Sequence, residues 1–195
     1  MKLADKVTAL RLILGPVFFI VYLTLKPNGS LSGNFIFLII LWVLFIIIEC
    51  SDWLDGKIAR RYNEVNDFGK LFDPFADTLV RILYFLCFIL TGILPVIPFM
   101  LILYREFGIL FLRILMMKKG VAMGARMGGK LKAVCYMLTG LICLLSVTME
   151  CFGFLNMAVF FRHAAFVMFI LSMVIAIASF IDYFLVYLRA GNSRE

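Results

Sequence analysis

Four aspartates, Asp52, Asp55, Asp73 and Asp77, stand at spacings of three and four residues inside a chain that is otherwise mostly apolar. At those spacings helical side chains share a face. The first pair closes one apolar segment and the second pair opens the next. A carboxylate at mid-membrane costs roughly 2.5–3.5 kcal/mol, so four would cost about 10–14 kcal/mol. That approaches the whole net stability of a domain, about 5–15 kcal/mol. The carboxylates must therefore face water, cations or both. Hard divalent cations prefer oxygen ligands, and two carboxylate pairs on adjacent helices make an oxygen cage with room for two of them. Two such ions can clamp the attacking and leaving oxygens of a phosphoryl displacement. Between the pairs lie Gly56, Ala59 and Gly69, small enough for a flat group to approach the backbone, and Arg60, whose planar fork suits a phosphate.

The elements that must position these groups are membrane helices. The chain has 195 residues, 64% of them hydrophobic, and a mean hydropathy of +1.06. Soluble domains run at about 45–50% apolar. The apolar signal is continuous rather than alternating, which argues against a β-barrel. We expect an all-α protein: a single domain over residues 1–195, folded as an integral membrane bundle of six transmembrane helices. The spans are expected at about Val7–Thr24, Gly33–Cys50 (continuing as a polar helix through Arg61), Gly69–Leu90, Val96–Met117, Lys130–Thr148 and His163–Leu188. Thr91-Gly-Ile-Leu-Pro is expected as a tight turn, and Glu150 to about Arg162 as a connection dipping into the interface. The first apolar run lacks a convincing small-residue cleavage site and is not expected to be a signal peptide.

Net charge is +7, and the basic residues cluster at helix ends. That favours anionic lipid and phosphate as partners over nucleic acid. Lys2, Lys6, Arg11, Lys57, Arg60, Arg61, Lys70, Lys118, Lys119, Arg126, Lys130, Lys132, Arg189 and Arg194 fall on one side of the expected topology, against Lys26 and Arg162 on the other. By the positive-inside rule both termini and the aspartate stretch face the cytoplasm, in a multi-pass protein of the inner membrane. Cys50, Cys87, Cys135, Cys143 and Cys151 are scattered without metal-type spacing and read as small core residues.

The run Asp52-x-x-Asp55-Gly56-x-x-Ala59-Arg60, eight residues, then Gly69-x-x-x-Asp73-x-x-x-Asp77 resembles at every motif position the signature of the CDP-alcohol phosphatidyltransferase family. The resemblance implies a six-helix membrane bundle, usually a homodimer. It implies that Asp52, Asp55, Asp73 and Asp77 bind two magnesium or manganese ions, with Asp77 also the catalytic base. It implies that Gly56, Ala59, Arg60 and Gly69, together with Thr8, hold the CDP head of a CDP-diacylglycerol donor. An acceptor hydroxyl would attack the β-phosphorus, and CMP would leave.

Secondary matches narrow the acceptor. Thr8-x-x-Arg11-x-x-x-x-Pro16, Arg105-Glu106 followed by Arg113, Gly129-Lys130-Leu131-Lys132 and Ser179-x-x-Asp182-Tyr183 are similar to the bacterial branch of the family that uses sn-glycerol 3-phosphate. The chain departs from that branch at Asp5, Thr78 and Ala133, where Asn, Lys and Thr are usual. Arg105 and Arg113 lie two turns apart on one helix and share a face, and Lys130 and Lys132 open the next helix. With Arg81, one turn past Asp77, they would suit an acceptor that carries its own phosphate, though structural pairing of Arg81 or Arg105 competes with that reading. Sister acceptors (inositol phosphate, serine or phosphatidylglycerol) stand as the alternative, and a cation transporter or channel using the aspartates as a path stands as a remote one. Glu49, one turn before Asp52, stays open between the metal shell, a partner for Arg81 or Arg105, and a water-facing edge. Asp182 stays open as well. His163 reads as polar edging of the far interface.

Overall fold

The structure is a computed structural model that describes residues 3–25, 35–61, 67–118 and 127–192, and the side chains of 8–24, 35–51, 72–118 and 127–189. Among the described residues there are six α-helices and no strand: α1 Leu3–Leu25, α2 Phe35–Arg61, α3 Asp67–Leu90, α4 Val96–Lys118, α5 Met127–Cys151 and α6 Leu155–Asn192. The all-α expectation holds, and the polar continuation of α2 through Arg61 is helical.

Two of the connections show why the chain turns where it does. Gly92 has φ +70° and Gly153 has φ +80°, a left-handed conformation that favours glycine. At the first turn Ile93 N–H donates to Phe88 O at 2.8 Å, and at the second Phe154 N–H donates to Met149 O at 2.9 Å. Both are the six-to-one bond that caps orphan carbonyls at a helix end. The expected turn after Thr91 is therefore where the sequence placed it.

The expected connection from Glu150 to Arg162 is corrected. Only Phe152, Gly153 and Phe154 separate α5 from α6, and Arg162 and His163 lie inside α6. Polar side chains inside a helix had been read as its boundary. Arg162 reaches back across the turn to Glu150 at 3.3 Å, and the His163 ring Nδ1 lies 2.8 Å from Val159 O on its own helix.

Contacts between helices fix their directions. Along α1, Thr8 meets Asp73, Gly15 meets Val80, and Tyr22 meets Thr91. Along α4, Arg105 meets Ala176 and Gly108 meets Phe180. Hence α1 runs parallel to α3, and α4 parallel to α6. Phe85 on α3 packs on Tyr136 of α5, while Trp42 on α2 bonds Thr148 and Phe45 meets Gly140. So α1, α3 and α5 run one way and α2, α4 and α6 the other. The amino ends of the first set gather with the carboxyl ends of the second, as in an up-and-down bundle.

The core is aromatic: Tyr22, Phe45, Tyr84, Phe85, Phe88, Tyr136 and Phe169 are buried in one cluster. Close approach requires small residues. A Cβ at Gly140 would sit 2.9 Å from the Phe45 ring, and one at Gly15 would sit 3.2 Å from the Val80 side chain. Hydroxyls inside the helices donate to their own backbone, Thr139 to Cys135 O at 2.8 Å and Ser172 to Met168 O at 2.7 Å. The outer surface is apolar, with Ile13, Ile39, Leu101, Phe111, Val167 and Val174 exposed. Among the described residues two helices, α5 and α6 over Leu155–Arg189, are long and apolar enough to cross a membrane, and Thr8–Thr24 and Phe35–Ser51 form shorter apolar stretches.

Candidate active site

At the end where α1, α3 and α5 begin, a cavity of about 460 Å³ opens between α3, α4, α5 and α6. That is the size of a small-ligand site. Asp73, Asp77, Thr78 and Arg81 line it from α3, Arg105, Glu106 and Arg113 from α4, Lys130 and Lys132 from α5, and Tyr183 from α6. Five cations thus share it with three carboxylates. All five residues expected to bind the acceptor phosphate come to one cavity with the second aspartate pair, although their sequence positions span some fifty residues.

Helix α1 holds the aspartates. The Thr8 hydroxyl is fully buried and donates to Asp73 Oδ1 at 2.8 Å. The Arg11 guanidinium is 2% exposed; its Nη1 donates to Asp77 Oδ1, and its Nη2 lies 3.5 Å from the Thr8 hydroxyl. One turn of α1 therefore holds one turn of α3 along the same face. Arg11 was counted among the surface cations that set orientation. It is instead a buried partner of Asp77 with its charge matched inside the protein. Thr8, expected at the CDP head, touches Asp73.

The opposite wall is built round Glu106. Its carboxylate accepts from Lys132 Nζ at 2.7 and 2.8 Å, from Tyr136 Oη at 3.0 Å and from Arg105 Nη1 at 3.1 Å, with the Thr78 hydroxyl at 3.5 Å. Arg105 continues to α6, donating from Nε to Ala176 O at 3.0 Å and from Nη2 to Ser179 Oγ at 2.9 Å. Lys132 also lies over the Tyr136 ring, 5.1 Å from its centroid. Four helices are tied through one carboxylate. Arg105 and Lys132 thus reach the cavity wall with hydrogen bonds already directed to protein groups. Arg113 has a buried Nε without a protein partner among the described residues.

The helix directions rank these groups by depth. Asp73, Arg113, Lys130 and Tyr183 lie toward the helix ends at the mouth. Arg81, Glu106, Arg105, Lys132 and Tyr136 lie deeper. Asp77 is one turn below Asp73, about 6 Å along the axis. Glu49 comes together with Arg11, Asp77 and Arg81 round a void of about 10 Å³, separate from the larger cavity.

The side chains of Asp52, Asp55, Gly56, Ala59, Arg60 and Gly69 lie outside the described ones; the backbone carries the first five on α2 and Gly69 on α3. Among the described residues no three metal-binding side chains converge. Asp73 and Asp77 put two carboxylates on one face of α3, bordering the charged cavity. An all-carboxylate oxygen set fits magnesium or manganese and not a soft metal.

Sequence relatives agree with the motif. The model of the CDP-alcohol phosphatidyltransferase family matches residues 1–178. The chain belongs to the CDP-alcohol phosphatidyltransferase family. It is 36% identical over 190 residues to a CDP-diacylglycerol–glycerol-3-phosphate 3-phosphatidyltransferase of Treponema pallidum, covering 94% of this chain and 88% of that one. It is 32% identical to a protein of the same name from Bacillus subtilis, covering 67% of this chain and 70% of the relative. It is 33% identical to a probable phosphatidylglycerophosphate synthase of Mycobacterium tuberculosis, covering 67% and 60%. As a phosphatidyltransferase of this family, the chain has its second aspartate pair, Asp73 and Asp77, on the wall of its polar cavity.

Two features escaped the sequence reading. Glu106 and Arg11 stand in motifs similar to the family's, but neither the ring of donors round Glu106 nor the pairing of Arg11 with Asp77 follows from the sequence. The available signals were an Arg-Glu pair deep in an apolar helix and an arginine one turn after a threonine at the start of another.

Proposed function

We propose that the chain is a phosphatidylglycerophosphate synthase, which joins CDP-diacylglycerol to sn-glycerol 3-phosphate and releases CMP. The observation that carries a phosphate-bearing acceptor is the cavity, where Arg81, Arg113 and Lys130 stand beside Asp73 and Asp77 with two further cations behind them, a setting that inositol phosphate would fit as well. Serine would need no such charge. The names of the relatives favour sn-glycerol 3-phosphate.

In this reading the acceptor's phosphate rests among the cations and its 1-hydroxyl points to Asp77. The hydroxyl oxygen forms a bond to the β-phosphorus of CDP-diacylglycerol, while the bond from that phosphorus to the bridging oxygen breaks. The electron pair leaves with CMP, and the proton passes to Asp77. Arg11 and Thr8 keep the α3 carboxylates in orientation. Asp52, Asp55, Asp73 and Asp77 would hold two magnesium or manganese ions, which when bound offset charge on the pyrophosphate and on the departing CMP. Gly56, Ala59, Arg60 and Gly69 would receive the CDP head.

The same reading has all six helices spanning the inner membrane with both termini and the cavity mouth cytoplasmic, lipid tails reaching the bilayer sideways, and a second copy of the chain as partner. The apolar exterior supports the membrane setting.

The test is direct. Purified protein in detergent is given labelled CDP-diacylglycerol and, in turn, sn-glycerol 3-phosphate, inositol phosphate, serine and phosphatidylglycerol. CMP release with the first alone is expected. Turnover with another acceptor and none with glycerol 3-phosphate would overturn the assignment. Ion flux through reconstituted protein without CMP release would favour the channel instead.

A further inference from the structure

The deep part of the wall opposite the aspartates holds two cations and one anion, all enclosed, with Arg113 and Lys130 nearer the mouth. Arg105 is 5%, Lys132 9% and Glu106 6% exposed, and all three line the cavity. Charges in so dry a wall act on a cavity ligand more strongly than exposed ones, because little water screens them. Among the described residues the Lys132 ammonium donates to both oxygens of Glu106, which therefore competes with any anion for it. Arg105 is divided between Glu106 and the α6 groups Ala176 O and Ser179. A carboxylate at this point also repels an anion placed deep in the cavity.

We propose that Glu106 is a specificity-determining counter-charge: it leaves the Arg105–Glu106–Lys132 cluster with a single net positive charge and so holds the cavity's grip on a phosphate-bearing acceptor at a strength that still permits release. The inference rests on the reading of the cavity as the seat of such an acceptor. It assigns Glu106 no contact with the reacting atoms. The carboxylate acts through Lys132 and Arg105, as a positioning and charge-setting residue.

Charge counting distinguishes this role from a merely structural one. Glu106→Gln keeps the shape and one acceptor oxygen, turns the other oxygen into an amide donor, and removes one negative charge from the wall. Lys132→Met removes one positive charge. The double variant restores the native count while lacking both partners of the strongest contact. A structural role makes the double variant the worst of the set, whereas a charge-setting role returns it to the native value.

The probe is inorganic phosphate, its dissociation constant measured by equilibrium dialysis on the purified full-length chain in magnesium-containing detergent buffer. Phosphate held at the aspartates is common to all four proteins and cancels from the comparison. Relative to wild type, Glu106→Gln is expected to bind about tenfold tighter and Lys132→Met about tenfold weaker, each about 1.4 kcal/mol, with the double variant within about threefold. In turnover assays Glu106→Gln should lower the KM for the acceptor and lower kcat with it, while the KM for CDP-diacylglycerol stays put. A Glu106→Gln protein that elutes as folded and binds phosphate no tighter than wild type overturns the inference, as does a double variant weaker than Lys132→Met. Should Glu106→Gln alone misfold, Lys132→Met against the double variant decides: recovery of phosphate binding supports the role, and no recovery overturns it. Absence of phosphate binding by the wild type sinks the acceptor reading and this inference together; equal binding by all four sinks this inference alone.

Discussion

The two walls of the cavity use the same chemical types to opposite ends. On the α1–α3 wall the Asp77 carboxylate pairs with Arg11, and its side chain remains 23% exposed. On the α4–α5–α6 wall the Glu106 side chain is 8% exposed and is enclosed by an ammonium, a guanidinium and a phenol. Exposure separates the jobs. A carboxylate that stays partly exposed is available to a cation or a substrate proton, while one ringed by donors sets the field and ties helices together. Buried charge alone does not mark a reacting group.

The contrast predicts a hierarchy of damage. Asp77→Asn should lower CMP release by at least about 10³-fold, within the range expected for losing a general base, while the protein still elutes as folded from detergent. Retained turnover would move Asp77 out of the reacting set and erase the distinction between the walls. Chelation by EDTA should abolish turnover to the same degree, with recovery on adding magnesium or manganese; turnover that persists in EDTA would leave the carboxylates without the partner proposed for them.

Next comes Arg11→Met. Breaking a fully buried pair by removing one partner costs about 3–5 kcal/mol. Asp77 keeps some access to water, so the loss here should be less, below about 3 kcal/mol. The informative readout is coupling. Without Arg11 the Asp77 carboxylate depends more on added cation, so the thermal midpoint of the variant should rise with magnesium more steeply than that of wild type. Equal slopes would mean that Arg11 and the ion do not share Asp77. Thr8→Val removes the hydroxyl that donates to Asp73 and accepts from Arg11, a loss of about 1 kcal/mol. It should lower kcat/KM about fivefold, raise the magnesium concentration for half-maximal activity and lower the thermal midpoint by about 2–4 °C.

How much of this was legible beforehand follows from the range over which each signal acts. Helix identity is local: apolar runs, Gly92 and Pro95 mark the turn between α3 and α4 within a few residues. The aspartate motif is local too, since spacing on one helix puts Asp73 and Asp77 on one face. The gathering of Arg81, Arg105, Arg113, Lys130 and Lys132 could be anticipated because helix ends of alternating direction must meet. The Glu106 cluster was not legible. Apart from Arg105 beside it, its partners sit 26 to 30 residues away on other helices, and Arg105 reaches Ser179, 74 residues on. No periodicity encodes such a meeting. Arg11 was missed for a related reason: a cation near a helix start reads as interfacial until the neighbour that neutralises it is known. The same blindness placed Arg162 and His163 at a boundary when both lie within α6.

Arg162 supplies the smallest effect and the sharpest control for the comparison of walls. It is a charge paired with a carboxylate, Glu150, across a helix turn at 3.3 Å, as Arg11 is paired with Asp77. It differs in setting, because its side chain is 40% exposed and the pair sits at the end of the bundle away from the cavity. An exposed ion pair contributes about 0–1 kcal/mol. The turn it spans is already fixed by Gly153 and by the bond from Phe154 N–H to Met149 O. Arg162→Ala should therefore leave CMP release and acceptor KM unchanged and move the thermal midpoint by no more than a degree or two, roughly what a few tenths of a kcal/mol produce in a protein of this size. A loss of activity comparable with that of Thr8→Val would show that the far end of the bundle is coupled to the cavity. The division of labour would then have to be drawn along α5 and α6, rather than between the two walls.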